Sequence, residues 1–260
     1  GSVIDETKGA ADLAVRKVAD AVSGKTGYTI RLVDGSRSES GERGSFSSSK
    51  GEIVVDVSSG NAVSTVLHET AHYIELNAPE DFRAMADEIR NVLSSKEITT
   101  DSGTISMLQY AADNYARVYS ERYGENITAQ QVMAEITADS AEALLYKDGF
   151  LESLLSDEHT VTELAKNDKS AFARFMDKVR EIIATIKEYL NGKGRNNSIS
   201  KVVEENAAAL ERIEKLYMQG LENAKKNYDS AAKAETGEEA ADNKKAAEDS
   251  GSKYSIKVDM

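Results

Sequence analysis

Cysteine is absent from the 260 residues, proline occurs once, and there are only three histidines. Without cysteine the chain has no disulfide framework, no Cys-ligated zinc finger and no thiol nucleophile. A cysteine-free chain folds in either redox environment, so this absence selects no compartment. A single proline, among many Ala, Glu, Lys and Leu, excludes an all-β sandwich or barrel, which needs frequent turn punctuation. No apolar run approaches the ~18 residues that a membrane helix requires. Imidazole chemistry can rest only on His68, His72 and His159.

Apolar residues make up 40% and charged residues 30%, enough for a folded core over most of the chain. The length suits one large or two modest domains. The net charge is −13, and residues 61–160 carry 18 acidic against 6 basic side chains, a net −12. That segment therefore holds nearly the whole imbalance. An acidic surface repels phosphate backbones, so a nucleic-acid partner is not expected. It suits a cation or a basic peptide.

Gly1-Ser2 reads as a cloning remnant, and the residues after it start mid-helix in character, as expected of a piece of a longer protein. Residues 9–23 place Ala11, Val15, Val18, Ala19 and Val22 at helical spacing, with Gly24 and Gly27 as the stop. Residues 28–33 and 52–57 alternate as strands, separated by a Gly- and Ser-rich loop over 35–50. Asn61 is a candidate N-cap. From Ala62 onward only helices are expected: 62–76, a second from Pro79, a third over 104–123, and a fourth from Thr128 to about 146. The second carries the stripe Phe82, Met85, Ile89, Val92 and Leu93, and the fourth opens with the capping box Thr128-x-x-Gln131. Thr160-x-x-Glu163 suggests another box. Helices over 169–190 and 200–228 read as an antiparallel hairpin. Residues 229–252 lack apolar periodicity, which predicts disorder, and 254–258 form a short apolar patch. The predicted class is α+β and mostly helical: a small domain over 3–160 with a short β-sheet, a C-terminal helical hairpin over 161–228, and a tail over 229–260.

His68-Glu-Thr-Ala-His72 matches HExxH. On a helix, i and i+4 share a face, so both imidazoles can converge on one metal ion, and Glu69 can reach a water at that metal. A third protein ligand is needed. The longer form HExxHxxGxxH is excluded, because Glu75 and Ala78 stand at its last two defined positions. Glu135 and Asp139, also i and i+4, share a face of the fourth helix. Glu135 is placed to bind the metal and Asp139 to accept the spare N–H of a ligating imidazole. Glu142 is a reserve ligand, and His159, in polar sequence, is another alternative.

HETAH followed by Glu135-Ile-Thr-Ala-Asp139 resembles the gluzincin pattern of thermolysin-like zinc peptidases. The resemblance implies Zn2+ on His68, His72 and Glu135, Glu69 as general base, and Asp139 supporting a ligating histidine. The run 52–57 before the helix resembles the compact zincin domains of phage and mobile-element polyvalent proteins. The phrases over 164–170 and 253–257 are similar to segments found with such domains. The 62 residues between His72 and Glu135 exceed the spacing of minimal gluzincins, and two expected helices fill the gap.

The function these residues imply is a zinc metallopeptidase acting on a protein or peptide, with no nucleic-acid or membrane partner. The rivals are a non-enzymatic helical interaction module with a structural or vestigial zincin core, and a metal-dependent hydrolase of another bond. Tyr73, Tyr110, Tyr115, Tyr119, Tyr123 and Tyr146 are available as oxyanion donors, with none favoured.

Overall fold

The computed structural model describes residues 1–35, 43–124 and 126–236. The chain opens with β1 (Val3–Asp5), α1 (Leu13–Thr26), β2 (Thr29–Val33), β3 (Gly44–Ser47) and β4 (Glu52–Asp56). Next come α2 (Ala62–Asn77), α3 (Pro79–Ser95), the strands β5 (Glu97–Thr100) and β6 (Gly103–Ser106), α4 (Met107–Tyr123) and α5 (Ala129–Ser140). A 3-10 segment (Ala141–Tyr146) leads to α6 (Phe150–Leu155), α7 (Glu158–Asn167), α8 (Lys169–Lys193), α9 (Ile199–Glu204) and α10 (Ala207–Thr236). The class is α+β and mostly helical, as the sequence predicts.

Among the described residues the main sheet has four strands in the order β1-β2-β4-β3, and β5 and β6 pair as a separate hairpin. β1, β2 and β4 are parallel, and β3 runs antiparallel to β4 at the edge. Alternation in β2 and β4 buries Ile30, Leu32, Ile53 and Val55 completely. α1 is the crossover that parallel β1 and β2 require, and its Val15, Val18, Ala19 and Val22 are buried. It ends at Gly27, in the left-handed region at φ 79°, while Gly24 stays inside the helix rather than stopping it.

β1 and β3 are not expected from local sequence. β1 has three residues, and β3 falls in the segment that reads as a loop, of which 36–42 lie outside the described residues. Pairing supplies what local sequence lacks: Gly44 stands opposite Val55 and Phe46 opposite Ile53. The third helix starts at Met107 rather than 104, because 103–106 pairs with 97–100. The fourth keeps its capping box but tightens to 3-10 geometry at Ala141. The box at Thr160 is not formed. α7 starts earlier, capped by Asp157, whose Oδ2 accepts from Thr160 N at 2.9 Å.

α2 is the centre of the molecule. Asn61 caps it, accepting from Ser64 N at 3.1 Å, and every residue from Ala62 to Ile74 is buried. The C-terminal helices are present, but α8 and α10 do not close on each other as a hairpin. α8 lies against α1, α6 and α7, and α10 runs along α3 and α2. Leu210, Ile213, Tyr217, Leu221 and Ala224 of α10 are buried in the core they share with those helices. Gly220 permits the close crossing, since a Cβ there would stand 2.6 Å from Ile74 Cγ2. Tyr217 donates its hydroxyl to Leu67 O at 3.1 Å, one residue before HETAH. The helices after residue 160 thus share one core with α2. Residues 229–236 continue α10 instead of starting a disordered tail, and 237–260, with the apolar patch 254–258, lie outside the described residues.

Candidate metal centre

His68 and His72 sit one turn apart on α2, and α5 brings Glu135 and Asp139 against them across a helix pair in contact. None of these four residues is more than 5% exposed, and Glu69 is wholly buried. His68 Nε2 and His72 Nε2 are 3.3 Å apart. Glu135 Oε2 lies 3.5 Å from the first and Oε1 3.6 Å from the second.

The other nitrogen of each ring is already used. His68 Nδ1 donates to Asp139 Oδ1 at 2.7 Å, and His72 Nδ1 donates to Glu75 Oε2 at 3.0 Å. With both Nδ1 atoms carrying hydrogen, both Nε2 atoms turn towards the Glu135 carboxylate. Acceptor atoms facing one another repel unless a proton or a metal cation lies among them. The Glu135 oxygens are buried and have no hydrogen-bond partner, which for a carboxylate costs several kcal/mol unless a cation offsets it. Atoms bound tetrahedrally at about 2.1 Å from one small cation lie roughly 3.4 Å from each other. The observed separations fit that geometry, so His68, His72 and Glu135 can hold a metal ion.

The local field favours positive charge. Burial pulls the His68 pKa down, but the charge and hydrogen bond of Asp139, the Glu135 carboxylate and the Glu69 charge outweigh it and raise it to about 10. His72 is raised for like reasons: burial opposes, while the Glu135 charge and the Glu75 hydrogen bond prevail.

The structure brings four sequence-predicted residues, His68, His72, Glu135 and Asp139, into one cluster, with Glu69 beside them. The reserve ligands are elsewhere. Glu142 is buried in another network, accepting from Asn196 N at 2.9 Å and Ser200 Oγ at 3.0 Å, and so fastens the turn after α8 to the core. His159 is exposed on α7. Sequence reasoning missed Glu75 as a partner of His72; its i,i+3 spacing was the available signal. It also missed Tyr115, whose hydroxyl donates to Asp139 Oδ2. Tyr73 donates its hydroxyl to Thr26 O at 3.0 Å and so ties α2 to the end of α1 rather than serving the ligand cluster.

Glu69 lies against the edge strand. A Cβ at Gly44 would stand 2.8 Å from Glu69 Oε1 and 2.6 Å from Thr65 Cγ2, so only glycine lets β3 approach α2 this closely.

A cleft of about 990 Å³ opens on His72 and Glu135. β3 and the turn after it form one wall with Phe46 and Ser48, the first half of α3 another with Phe82, Arg83 and Asp87, and the start of α5 a third with Gln130 and Met133. No tyrosine is among the described residues lining it. No family model matches the chain, and neither a curated protein nor a solved structure matches it.

Proposed function

We propose that this protein is a zinc-dependent peptidase. The observation carrying the reading is the convergence of His68 Nε2, His72 Nε2 and the Glu135 carboxylate, which has no hydrogen-bond partner, beside buried Glu69, with His72 and Glu135 lining an open cleft. Two imidazoles and one carboxylate suit Zn2+ and leave a coordination position for substrate chemistry. The gluzincin-like order HETAH, then Glu135 and Asp139, supports the same assignment.

Bound zinc would supply a Lewis acid that polarises a carbonyl and lowers the pKa of water to about 7. The chain's own residues do the rest. Glu69 takes the proton of the attacking water and passes it to the departing amine nitrogen as the C–N bond breaks. Asp139 and Glu75 fix the imidazole tautomers and hold both rings in place. The cleft holds the peptide, with Glu69 buried away from bulk solvent.

Elemental analysis of protein purified without added metal, paired with digestion of a peptide library, tests the reading. One zinc per chain and cleavage abolished by Glu69→Gln, with zinc retained, are expected. Stoichiometric zinc with no peptide hydrolysis by the native chain would leave a structural-metal module or a hydrolase of another bond, and absence of metal binding would end every metal-dependent reading.

A further inference from the structure

The cleft is richer in basic side chains than the segment that builds most of it, with two arginines beside three acids in its lining. Residues 61–160 carry 18 acidic and 6 basic side chains, yet Arg83 and Arg90, two of those six, line this cleft. Among the described residues none of the acids lining it pairs with Arg83. Glu75 holds His72, Glu135 faces the two Nε2 atoms, and Asp87 accepts from Arg90 at 2.7 Å. Arg83 is different. Its Nε donates to Pro79 O at 3.3 Å, and among the described residues no carboxylate pairs with its guanidinium. The side chain is exposed and lines the same cleft as His72.

Arg83 is held by its helix. Pro79 opens α3 and fixes the first turn, and Phe82 beside it is buried, so the α3 backbone is anchored where Arg83 leaves it. Guanidinium presents a planar fork of donors that matches a carboxylate in two parallel hydrogen bonds. Apolar surface lies next to it, for Leu76 is 44% exposed and lines the same cleft. A substrate bound there would meet a cation and a hydrocarbon surface together.

From this we infer that Arg83 is a specificity-determining residue that selects a carboxylate on the substrate. The inference rests on the peptidase reading and names its substrate class: peptides with an acidic group near the scissile bond. The carboxylate has two possible sources, an Asp or Glu side chain or the free C-terminus, and the chemistry at Arg83 is the same for both.

The test uses the zinc-loaded full chain and matched peptides bearing Glu, Gln or Lys at each position around the bond cleaved, each as free acid and as C-terminal amide. Preference for Glu over Gln in both terminal forms assigns a side chain, and preference for free acid over amide assigns the C-terminus. In either case Arg83→Ala should lower kcat/KM for the preferred peptide roughly tenfold or more and leave the Gln amide peptide nearly unchanged. Arg83→Glu should shift preference towards Lys. Binding of the preferred, labelled peptide to Glu69→Gln should weaken by a similar factor when Arg83→Ala is added, a readout independent of turnover. Cleavage with no preference for a carboxylate, a preference for Lys in the native chain, or an unchanged profile in Arg83→Ala would overturn the inference and leave the peptidase reading standing. Failure of the native chain to cleave any peptide overturns both.

Discussion

Tyr115 on α4 donates its hydroxyl to Asp139 Oδ2 on α5. The other oxygen of that carboxylate holds His68 Nδ1, so a third helix takes part in orienting a residue of α2. Tyr115 is fully buried, and its ring belongs to the core while its hydroxyl serves the candidate metal centre. Tyr115→Phe keeps the ring and removes only the donor. Zinc affinity should fall severalfold, with a comparable loss of fold stability on the order of 1 kcal/mol. Competition against a chelator, run beside urea unfolding of the metal-free protein, separates the two effects. Unchanged affinity would reduce Tyr115 to a packing residue.

The ligand order is the next expectation. Glu135→Ala removes one of three convergent ligands and should nearly abolish tight zinc binding. Asp139→Ala leaves the ligands but frees the His68 ring, which should cost roughly 10–100-fold in affinity. Glu75→Ala should act in the same direction on His72, less strongly because the Glu75 side chain is about one-third exposed and water can replace it. Glu142→Ala and His159→Ala should leave affinity unchanged, although Glu142→Ala should lower stability by about 1–3 kcal/mol because Asn196 N and Ser200 Oγ lose a buried acceptor. Metal titration and thermal melts of the five variants give the order directly. Zinc lost from His159→Ala and kept by Glu135→Ala would replace the proposed set with three histidines.

The reach of each sequence signal decides how much of the fold and the site is legible before the structure is known. HETAH, Glu135 and Asp139 can be read because helical periodicity alone puts i and i+4 on one face, and two such pairs are local facts. Asn61 and Thr128 can be read as caps for the same reason: each is fixed by a residue three positions on. β3 cannot. Its Gly44-Ser-Phe-Ser47 has a single apolar side chain, and its strand geometry comes from pairing with β4. The apolar stripe of α10 announces that the helix packs, but a stripe does not name its partner, so the choice of α2 and α3 over α8 stays invisible. Tyr115 is a similar case. Its helical spacing marks it as core, and only the path of α4 past α5 brings its hydroxyl to Asp139.

Gly44 offers a test of the edge strand. Gly44→Ala puts a methyl group where Glu69 Oε1 and Thr65 Cγ2 now stand, so either β3 or the Glu69 side chain must shift. Overpacking of this kind costs about 1–3 kcal/mol. Zinc content should be retained, because the atoms nearest to a methyl group at Gly44 belong to Thr65 and Glu69 rather than to His68, His72 or Glu135. Turnover should fall at least tenfold if Glu69 moves, since a base displaced by a fraction of an ångström transfers protons poorly. Zinc content, melting temperature and kcat of the variant check this. Native turnover would mean that β3 can retreat without disturbing Glu69.

The raised pKa of His68 sets opposite pH dependences for the metal-free and metal-bound protein. In the metal-free chain the folded value is about 10 against 6.5 for an unperturbed histidine. The folded state therefore binds the proton more tightly than the unfolded state. This group's contribution to stability is fully present below pH 6.5, declines as pH rises through the interval, and is gone above about 10. Metal binding requires the same Nε2 without its proton, so zinc affinity should climb across the interval in which metal-free stability declines. Urea unfolding in excess chelator at pH 6 and pH 9 should show a lower midpoint at the higher pH, and His68→Gln should shrink that difference. Zinc titrations at the same two pH values should show tighter binding at pH 9. A metal-free midpoint that rises with pH, with the rise lost in His68→Gln, would mean that burial rather than the surrounding carboxylates governs this histidine.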